Sequence, residues 1–426
     1  MRHAPARVAI LINNTYVADA RAWKTAVSLG KAGYHVTVIA RWGPGLATTE
    51  KLDHHTVTRI RQPQPLSWLP APGLPETGDD PVGRTGGLRR RIRDTVGRAI
   101  QAVRYLRMSR AWAKVIAEQV DGFDVWQAES VITLSLAVSL RKHFGGVVVY
   151  DANDIDSEAG RMARLPGPWK QLLRRHERRL ARAADAVVTV SDPYALILER
   201  VLGRPVDAVV RNAAPVDDRD AEPTPEEVVR SDRFIDQFDL AADQRVVLYI
   251  GQVMRGRGLR QLFEAISLID DAHLVVAGFG PDYERYRTIA AALPHSGLIH
   301  FAGSVPPAEI PDWTRGADLA AMPVQPDTLN HRFNTPTKLY DAMGVGVPVV
   351  ASKLPGISPI VNETGCGVLC DPTDPVDVAR AIRDIIDASE DERVALRMRC
   401  LAAARSKYSW QHQADELLRV YDDLGV

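Results

Sequence analysis

A run of hydrophobic residues passes directly into a turn of glycines and arginines in Arg245-Val-Val-Leu-Tyr-Ile-Gly-Gln-Val-Met-Arg-Gly-Arg-Gly-Leu-Arg-Gln-Leu-Phe-Glu-Ala-Ile266. The segment Arg245–Ile250 is rich in valine and isoleucine, which predicts a buried strand. The hydrophobic positions after the turn are Leu259, Leu262, Phe263 and Ile266. Their spacing predicts a helix with one apolar face. A strand, a turn and a helix in this order form the repeating unit of a parallel sheet covered by helices.

The same alternation extends through both halves of the chain. The further segments that we predict as strands are Arg7–Ile12, His35–Ala40, Gly146–Tyr150, Ala186–Val190, Ala208–Val210, His273–Ala277, Leu298–Ala302, Leu319–Met322 and Val347–Ala351. A helix is predicted over Ala20–Lys31. The pattern predicts an α/β fold of two Rossmann-like domains with parallel sheets. Ligands of such sheets bind at the carboxyl ends of the strands, so we expect the site in a cleft between the domains.

A change in composition separates the two predicted domains. Residues 213–244 are rich in acids and prolines and have little sustained apolar period, which is typical of a linker. The predicted divisions are an N-terminal domain over 1–212, a linker over 213–244, a C-terminal domain over 245–405 and a final helical segment over 406–426. Within the first domain, residues 43–122 form a predicted insertion, in which a long surface loop over 43–86 precedes a basic helix.

The net charge is zero, but it is unevenly distributed: residues 1–212 carry +12 and the remainder carries −12. The segment Arg84–Arg110 contains nine arginines and one acid, and its apolar residues recur at helical spacing. A basic amphipathic helix is typical either of a surface helix packed on its own domain or of a helix that contacts an anionic membrane surface. Both interpretations fit this segment.

Several features indicate a cytoplasmic protein. The first residues have no apolar core of the signal-peptide type, and no run approaches the roughly 18 apolar residues of a membrane span. The three cysteines, Cys366, Cys370 and Cys400, are too few for a disulfide framework and are expected to be buried thiols with no metal bound. We therefore predict a cytoplasmic protein, with a peripheral contact at the inner face of the membrane if the basic helix binds lipid.

Arg257 follows the strand and its glycine-rich turn, where a cation can grip a diphosphate, and Arg255 and Arg260 lie nearby in the chain. Charge-assisted hydrogen bonds contribute about 1.5–3 kcal/mol each. After the next predicted strand, Gly278 and Gly280 allow the backbone to approach a ligand closely. The third glycine of the dinucleotide-binding fingerprint is missing, which argues against a nicotinamide-dependent oxidoreductase.

A second stretch, Asn334-Thr-Pro-Thr-Lys-Leu-Tyr-Asp-Ala-Met-Gly-Val-Gly-Val-Pro-Val-Val-Ala-Ser352, also joins a turn to a helix and a strand. Pro336 is expected in the first helical turn, where free amides after Thr335 can meet a phosphate. Lys338 lies in the same turn. Asp341 follows, and its carboxylate can accept two hydrogen bonds from the 2′ and 3′ hydroxyls of a ribose. The two stretches together predict a site for a diphosphate and the ribose next to it.

Taken together, these motifs resemble the large "group 1" family of retaining glycosyltransferases, which has the GT-B fold of two facing Rossmann-like domains. The segments that carry the resemblance are Asp19–Arg21, Tyr150–Asp154, Gly251–Gly258, Ala277–Pro281, Gly303–Val305, Pro336–Ser352 and Tyr408–Trp410. The resemblance covers nearly the whole chain. It implies transfer of a sugar from a nucleoside-diphosphate sugar, most readily a UDP- or GDP-linked one, to an acceptor hydroxyl, with no obligatory cofactor or metal. It also implies that the final helix crosses back onto the first domain.

The resemblance also implies roles for individual residues. The implied donor-binding residues are Gln252, Arg257, Gly278, Gly280, Ser304, Val305, Asn334, Thr335, Lys338 and Asp341. Arg257 and Lys338 would stabilise the leaving diphosphate, and Glu129 would face the acceptor; these three are the candidate catalytic residues. The candidate acceptor-binding residues are Asn14, Asp19, Arg21, Asn153, Asp154, Ser191 and Asn212.

The chain departs from the family pattern at several positions. Gln252 stands where the family has an arginine that binds phosphate, and Asp341 stands where it has a glutamate. Phe333 replaces an acid that often contacts the donor sugar. Gln127 and Glu129 occupy a region where the family usually has histidines, so Glu129 is expected to take over the role of a histidine there.

Alternatives to sugar transfer remain open. A nucleotide-sugar epimerase or a phosphorylase would keep the fold and change the reaction. The departures from the family pattern also fit a partner subunit that is not catalytic. Nucleic acid is not an expected partner, because the chain has no recognisable binding module and a pI of about 7.2. Both a small soluble acceptor and a lipid-linked acceptor fit the sequence.

Overall fold

The computed structural model describes residues 5–17, 19–63, 107–158, 162, 167–216, 221–241, 243–269 and 271–426. By its internal contacts the chain divides into two compact units. The first unit consists of Met1–Val188, Glu199–Ala208 and Leu418–Val426, and the second consists of Thr189–Leu198 and Val209–Leu417. The boundary predicted at residue 212 and the predicted linker over 213–244 thus both fall within the second unit.

The first sheet and the helices that follow its strands account for most of the first unit. The strands are β1 (Arg7–Leu11), β2 (His35–Arg41), β3 (Thr49–Lys51), β4 (Thr56–Ile60), β5 (Val125–Ala128), β6 (Val147–Ala152), β7 (Ala186–Thr189) and β8 (Ala208–Val209). The helices are α1 (Ala20–Lys31), α2 (107–117), α3 (Val131–Phe144), α4 (Gly167–Ala181) and α5 (Asp192–Leu202). Most of α5 and the last residues of β7 and β8 belong to the second unit.

Within the described residues, the strand order of this sheet is β3-β4-β2-β1-β5-β6-β7-β8. The central strand β1 pairs in parallel with β2 and with β5, which places Ile10 beside Val38 and Gln127. The side chains of β1 from Val8 to Leu11 are almost completely buried. Helices therefore cover both faces of the strand, which explains its continuous apolar run.

The prediction of a long loop over 43–86 is wrong for its first part. Residues Thr56–Ile60 form β4, which pairs in parallel with β2, and Thr49–Lys51 form β3, which pairs antiparallel with β4. Only Val57 and the last two residues of β4 are buried, so its sequence alternates between polar and apolar residues instead of forming an apolar run. Residues 64–106, including most of the predicted basic helix over Arg84–Arg110, lie outside the described residues.

The last residues of the chain, Leu418–Val426, belong to the first unit. The Tyr421 hydroxyl donates a hydrogen bond of 2.6 Å to Gln127 Oε1 in β5, and the Tyr421 ring packs edge-on against Tyr34. The Tyr34 hydroxyl in turn donates to the backbone oxygen of Val426 at 3.0 Å. Tyr421 is completely buried, so these contacts are part of the core of the unit.

The second unit contains the second sheet and ten further helices named here from the described residues, the last of which continues into the first unit from Leu418. The strands are β9 (Arg245–Ile250), β10 (Ala272–Ala277), β11 (Ile299–Gly303), β12 (Leu319–Met322), β13 (Val349–Ser352) and β14 (Gly367–Cys370). The helices are α6 (Arg233–Phe238), α7 (Leu259–Ile266), α8 (Tyr283–Ala291), α9 (Ile310–Arg315), α10 (Leu329–Phe333), α11 (Thr337–Gly344), α12 (Ser358–Thr364), α13 (Pro375–Ile386), α14 (Glu390–Ser406) and α15 (Trp410–Asp423).

The second sheet is parallel, with the strand order β11-β10-β9-β12-β13-β14 among the described residues. Phe263 and Leu262 of α7 pack on one face of the sheet in a cluster that includes Val247 and Ile382. A separate cluster around Leu339 and Tyr340 of α11 packs near β12 and β13. The α/β prediction of two Rossmann-like parallel sheets is confirmed, and within the described residues no helix combines the length and apolarity needed to cross a bilayer.

The turns after β9 and β10 touch each other through their backbones. A Cβ atom at Gly278 would lie 1.8 Å from the carbonyl oxygen of Gly251, and the φ of Gly278 is +150°. The Gly251 amide donates to Ala277 O at 2.9 Å, and the Gly278 amide donates to Gly303 O at 2.6 Å. The ends of three adjacent strands are thus joined through Gly278, where a side chain has no room.

Two carboxyl groups are buried close together in the first unit. The Tyr150 hydroxyl donates to Glu177 Oε1 at 2.9 Å, and Glu177 has no exposed surface. Asp156 Oδ2 accepts the Val131 amide at the start of α3. Burial and the neighbouring Asp156 raise the pKa of Glu177 to about 8, whereas burial raises the pKa of Asp156 to about 7. Each group is therefore protonated more readily than an exposed carboxyl group.

We expect Gly278→Ala to destabilise the protein by about 2 kcal/mol or more, because the new methyl group would overlap the Gly251 carbonyl oxygen. Urea unfolding followed by circular dichroism measures this change. The matched control is Gly297→Ala, where a Cβ would meet no atom within 4 Å and φ is not in the left-handed region. Equal stability of the two variants would contradict the close backbone contact.

A second prediction concerns the dependence of stability on pH. The pKa of Glu177 is raised from 4.5 to about 8 in the folded protein, so the folded state binds more protons than the unfolded state between these values. The contribution of Glu177 to the free energy of unfolding should therefore be constant and largest below about pH 4.5, and should fall as the pH rises toward 8.

The Glu177→Gln variant keeps an oxygen that can accept the Tyr150 hydrogen bond but has no carboxyl group to ionise. Chemical unfolding of the wild type and the variant at several pH values should show that the variant loses about 1–3 kcal/mol less stability across this range. Parallel pH profiles of the two proteins would refute the assignment.

Candidate functional site

The turn between β9 and α7 places cations at the carboxyl end of the second sheet. Gly251, Gly256 and Gly258 all have positive φ values. A Cβ atom at Gly258 would lie 1.9 Å from the Pro323 carbonyl oxygen, which accounts for glycine directly before α7. Arg257, between two of these glycines, is half-buried. The arrangement holds a guanidinium group beside the end of β9, as the sequence predicts.

Lys338 of α11 approaches the same turn from the other side. Its Nζ atom lies 4.0 Å from the centre of the Tyr249 ring, and a Cβ at Gly251 would be 3.8 Å from that nitrogen. The Tyr249 hydroxyl donates to Gln252 O at 2.6 Å, which fixes the ring under the ammonium group. A cation over the face of an aromatic ring is stabilised electrostatically.

The surroundings of Lys338 disfavour its charged form. Burial and the neighbouring Arg257 lower the pKa of Lys338 to about 7, although Asp341 opposes this shift. In the part of the chain that the structure describes, neither Lys338 nor Arg257 forms an ion pair with a carboxylate. Two neighbouring cations that repel each other are relieved by an anion, so this end of the sheet favours a phosphate.

The start of α11 is defined by backbone contacts. Helix α11 begins at Thr337, and Pro336 is its N-cap residue, whereas the sequence predicted Pro336 within the first turn. Proline can occupy either place, because its missing amide is unpaired at both. The Thr335 hydroxyl donates to Gly356 O at 2.6 Å and is buried. Asn212 Nδ2 donates to Thr337 Oγ1 at 3.2 Å at the same helix start.

The remaining predicted donor residues lie at the ends of neighbouring strands. Gln252 is exposed in the turn after β9, and Ser304 is exposed directly after β11. Val305 is buried and packs in the hydrophobic cluster that includes Ile250 and Ala277. Gly280 is held tightly, since a Cβ there would lie 2.2 Å from Val253 O. Asn334, the C-cap residue of α10, leads into the turn before α11.

The first unit contains a cavity of about 310 Å³ at the carboxyl ends of β1, β5 and β6. Its polar lining includes Asn13, Asn14, Glu129, Asn153, Asp154 and Asp156. Four residues predicted from the sequence for the acceptor side thus line one cavity: Asn14, Glu129, Asn153 and Asp154. Asp19 is linked to this group, because Asn14 Nδ2 donates to Asp19 Oδ2 at 2.6 Å and Asp19 caps α1.

Glu129 stands out in this cavity. Its Oε1 atom is buried and accepts no hydrogen bond from the residues that the structure describes, and the same holds for Asn153 Oδ1. Burial and the nearby carboxylates of Asp19 and Asp151 hold the pKa of Glu129 well above its usual range, and Arg21 opposes this shift. An unpaired buried acceptor is costly, so these two oxygens are suited to accept hydrogen bonds from a bound hydroxyl compound.

Arg21 does not line the cavity. Its guanidinium group forms a two-pronged ion pair with Asp151, with Nε to Oδ2 at 2.9 Å and a second nitrogen to Oδ1 at 2.7 Å, and both side chains are buried. Gln127 Nε2 lies 3.4 Å from the same carboxylate. The placement of Arg21 as an acceptor-binding residue is therefore not supported by its geometry, because its donors are used to stabilise the unit.

Ser191 and Asn212 are two acceptor candidates that the structure places in the second unit. The Ser191 hydroxyl lies 3.4 Å from Phe333 O, and Tyr194 donates to Asn330 Oδ1 at 2.9 Å. The two residues thus support the α10–α11 region instead of lining the cavity of the first unit. Their position after predicted strands of the first half suggested the wrong unit.

Sequence reasoning missed several residues of these sites. His331 packs against the glycine turn, since a Cβ at Gly256 would lie 2.8 Å from its ring, and burial and Arg257 lower the pKa of His331. Asn13 and Asp156 line the cavity of the first unit. The sequence signal that could have identified them is their position in the chain: Asn13 is next to Asn14, and Asp156 is two residues after Asp154. Among the described residues, no group of histidines, cysteines and carboxylates is arranged to hold a metal ion.

Comparison with known proteins identifies the families that this chain resembles. The model for the family described as "Glycosyl transferases group 1" matches residues 231–407, and the model "Glycosyltransferase Family 4" matches residues 20–217. The D-inositol 3-phosphate glycosyltransferase of Corynebacterium jeikeium is 29% identical over 191 residues, covering 42% of this chain and 44% of the relative. The protein of the same name from Xylanimonas cellulosilytica is 27% identical over 256 residues, or 58% of each chain. The chain spans about half the length of these relatives.

Solved structures with the same fold align over almost the full chain. The sucrose-phosphate synthase of Thermosynechococcus elongatus has a TM-score of 0.71 at 17% identity and covers 98% of this chain and 99% of its own. The Anabaena protein Alr3699/HepE, solved in complex with UDP and glucose, has a TM-score of 0.66 at 16% identity and covers 98% and 99%. At these identities the likeness shows the fold, GT-B. The two family models, which match residues 231–407 and 20–217, support a group 1 glycosyltransferase family for this chain.

Proposed function

We propose that this protein transfers a sugar from a nucleoside-diphosphate sugar to an acceptor hydroxyl and retains the anomeric configuration. The observation that carries the proposal is the pair of cations, Arg257 and Lys338, at the carboxyl end of the second sheet. Neither forms an ion pair with a carboxylate among the described residues, and the charge of Arg257 helps to lower the pKa of Lys338. A diphosphate supplies the missing negative charge.

The cations act on the step in which the sugar–phosphate bond breaks. Negative charge develops on the leaving diphosphate at that point, and groups already oriented toward it stabilise the transition state more than the ground state. Lys338 is held over Tyr249, and Arg257 is held by flanking glycines, so neither has to be ordered during the reaction. The acceptor proton passes to the departing phosphate oxygen, as in a retaining transfer without a covalent enzyme intermediate.

The nucleoside would bind along the ends of the neighbouring strands. The backbone at Ser304 and Val305 would hold the base, and the Asp341 carboxylate would accept hydrogen bonds from the two ribose hydroxyls. Gly278 and Gly280 hold the turn after β10 against the turn after β9, and this packed backbone would form the base of the diphosphate site. Because the Anabaena structure contains UDP, we propose UDP as the first nucleotide to test and GDP as the second.

The acceptor would occupy the cavity of the first unit. Glu129 and Asn153 present unpaired oxygens to it, and Asn14 and Asp154 line the same space. This lining suits a compound with several hydroxyl groups, which can donate to these oxygens. The names of the two relatives make an inositol phosphate the first acceptor to test. A lipid-linked acceptor fits the same lining if its polar head enters the cavity.

Removal of the Arg257 side chain should weaken nucleotide binding. Arg257→Ala loses a charge-assisted contact of about 1.5–3 kcal/mol, so we expect the Kd for UDP to rise at least about tenfold in titration calorimetry. The control is Arg260→Ala, which removes the same charge from an exposed side chain that pairs with Glu264 on α7. This control should change the Kd less than about threefold.

The outcome also distinguishes the alternatives. An unchanged Kd in Arg257→Ala would contradict the diphosphate site. Tight binding of a nucleotide sugar with no transfer to any acceptor would favour the partner-subunit hypothesis that Gln252 and Phe333 raised. Product analysis by NMR tests retention, because the anomeric configuration of the product is read directly.

Nucleotide affinity should depend on the charge of Lys338. Its pKa is about 7 in the free protein, and a bound diphosphate raises it, so binding takes up a proton above pH 7. The Kd for UDP is therefore expected to rise between pH 7 and pH 9, by at most about tenfold per pH unit. Lys338→Met, which has no charge to gain, should bind more weakly and show no such rise. A wild-type Kd that stays constant over this range would refute the role of Lys338.

A further inference from the structure

Helix α2 presents a row of cations to solvent. Arg107, Arg110 and Lys114 are exposed at positions i, i+3 and i+7, which lie on one face of a helix. The opposite face carries Trp112 and Ile116, which are completely buried. The charged face is thus fixed in orientation by the core beneath it.

Helix α4 presents a similar face. Leu172, Arg175 and Arg179 occupy positions i, i+3 and i+7, and all three are exposed. Leu172 is 49% exposed, which is unusual for a large apolar side chain on a helix with so many charges. Glu177 and Ala181 form the buried side of this helix.

The two helices lie next to each other within the first unit. Ser135 of α3 donates to Ser109 of α2, and α3 also packs against α4. After burial, the charges of Arg110 and Arg179 are the main causes that lower the pKa of His176 in α4. The imidazole of His176 is therefore within electrostatic range of one arginine from each helix. We call Arg107, Arg110, Lys114, Leu172, Arg175 and Arg179 the α2–α4 face.

The cations of this face are not used to stabilise the fold. Among the described residues, none of the five forms an ion pair. On the same helix, Lys170 and Arg174 both pair with Glu158, and Arg178 donates to Val201 O. The other cations of α4 thus have partners within the first unit or at its border. Arg175 and Arg179 are exposed to solvent instead.

We propose that the α2–α4 face docks on an anionic membrane surface. Negatively charged lipid headgroups complement its five cations, and the exposed Leu172 can enter the boundary between headgroups and acyl chains. A nucleic acid would satisfy the arginines but would leave Leu172 in water. The observations therefore favour lipid. The proposal does not depend on the transferase activity, because none of the six residues of the face lines the cavity or belongs to the cation pair.

Vesicle flotation tests this proposal on the full chain. The vesicles contain phosphatidylcholine alone or phosphatidylcholine with a third of phosphatidylglycerol. The wild type should bind the anionic vesicles at low salt, bind neutral ones far less, and be released at high salt. Each basic residue near an anionic leaflet contributes about fivefold to binding, so Arg110→Gln/Arg175→Gln/Arg179→Gln should weaken it by about 100-fold.

The control variant is Lys31→Gln/Lys51→Gln/Arg61→Gln, which loses the same charge from exposed positions of the same unit that do not lie on α2, α3 or α4. It should bind almost as tightly as the wild type, and circular dichroism should show both variants folded. Leu172→Ala should weaken binding a few-fold at constant charge. The proposal is overturned if the wild type ignores anionic vesicles, if the two triple variants bind equally, or if the face selects DNA over lipid in competition.

Discussion

The contact between two backbone turns is the constraint on which the candidate donor site depends. Gly278 rests against the Gly251 carbonyl so closely that no side chain fits, and this contact joins the ends of β9, β10 and β11. The contact restricts the conformation of the turn after β9. The glycines of this turn adopt positive φ values, and Arg257 lies between two of them. Lys338 meets the turn over Tyr249. The lack of space for a side chain at Gly278 thus helps to determine where Arg257 and Lys338 lie.

Both units contain ionisable groups whose pKa values are shifted from those in water. In the second unit, Lys338 carries its charge beside another cation, which lowers its pKa. In the first unit, Glu129 and Glu177 are buried carboxyl groups with raised pKa values. Arg21 and Asp151 show the contrasting solution, in which two buried charges neutralise each other and stabilise the unit. Groups left without such a partner are the ones that a ligand can satisfy.

Sequence reasoning succeeded where a single pattern determines the structure. The apolar run of β9 and the helical spacing of α7 gave their observed bounds, whereas the roles of Arg257 and Lys338 stay predictions. It failed where the outcome depends on contacts far along the chain. Arg21 follows a motif near a strand end, but its partner Asp151 is known only from the fold. Strand β4 was missed because its alternating residues reflect partial burial at the side of the sheet.

The discontinuous first unit has a consequence for synthesis of the chain. Residues Leu418–Val426 are translated after the whole second unit, yet Tyr421 fills the core beside Gln127 and Tyr34. During synthesis, the core of the first unit therefore stays incomplete until the last helix leaves the ribosome. By then the second unit has been synthesised completely. A nascent chain arrested before residue 418 would present an incomplete apolar core to chaperones and proteases.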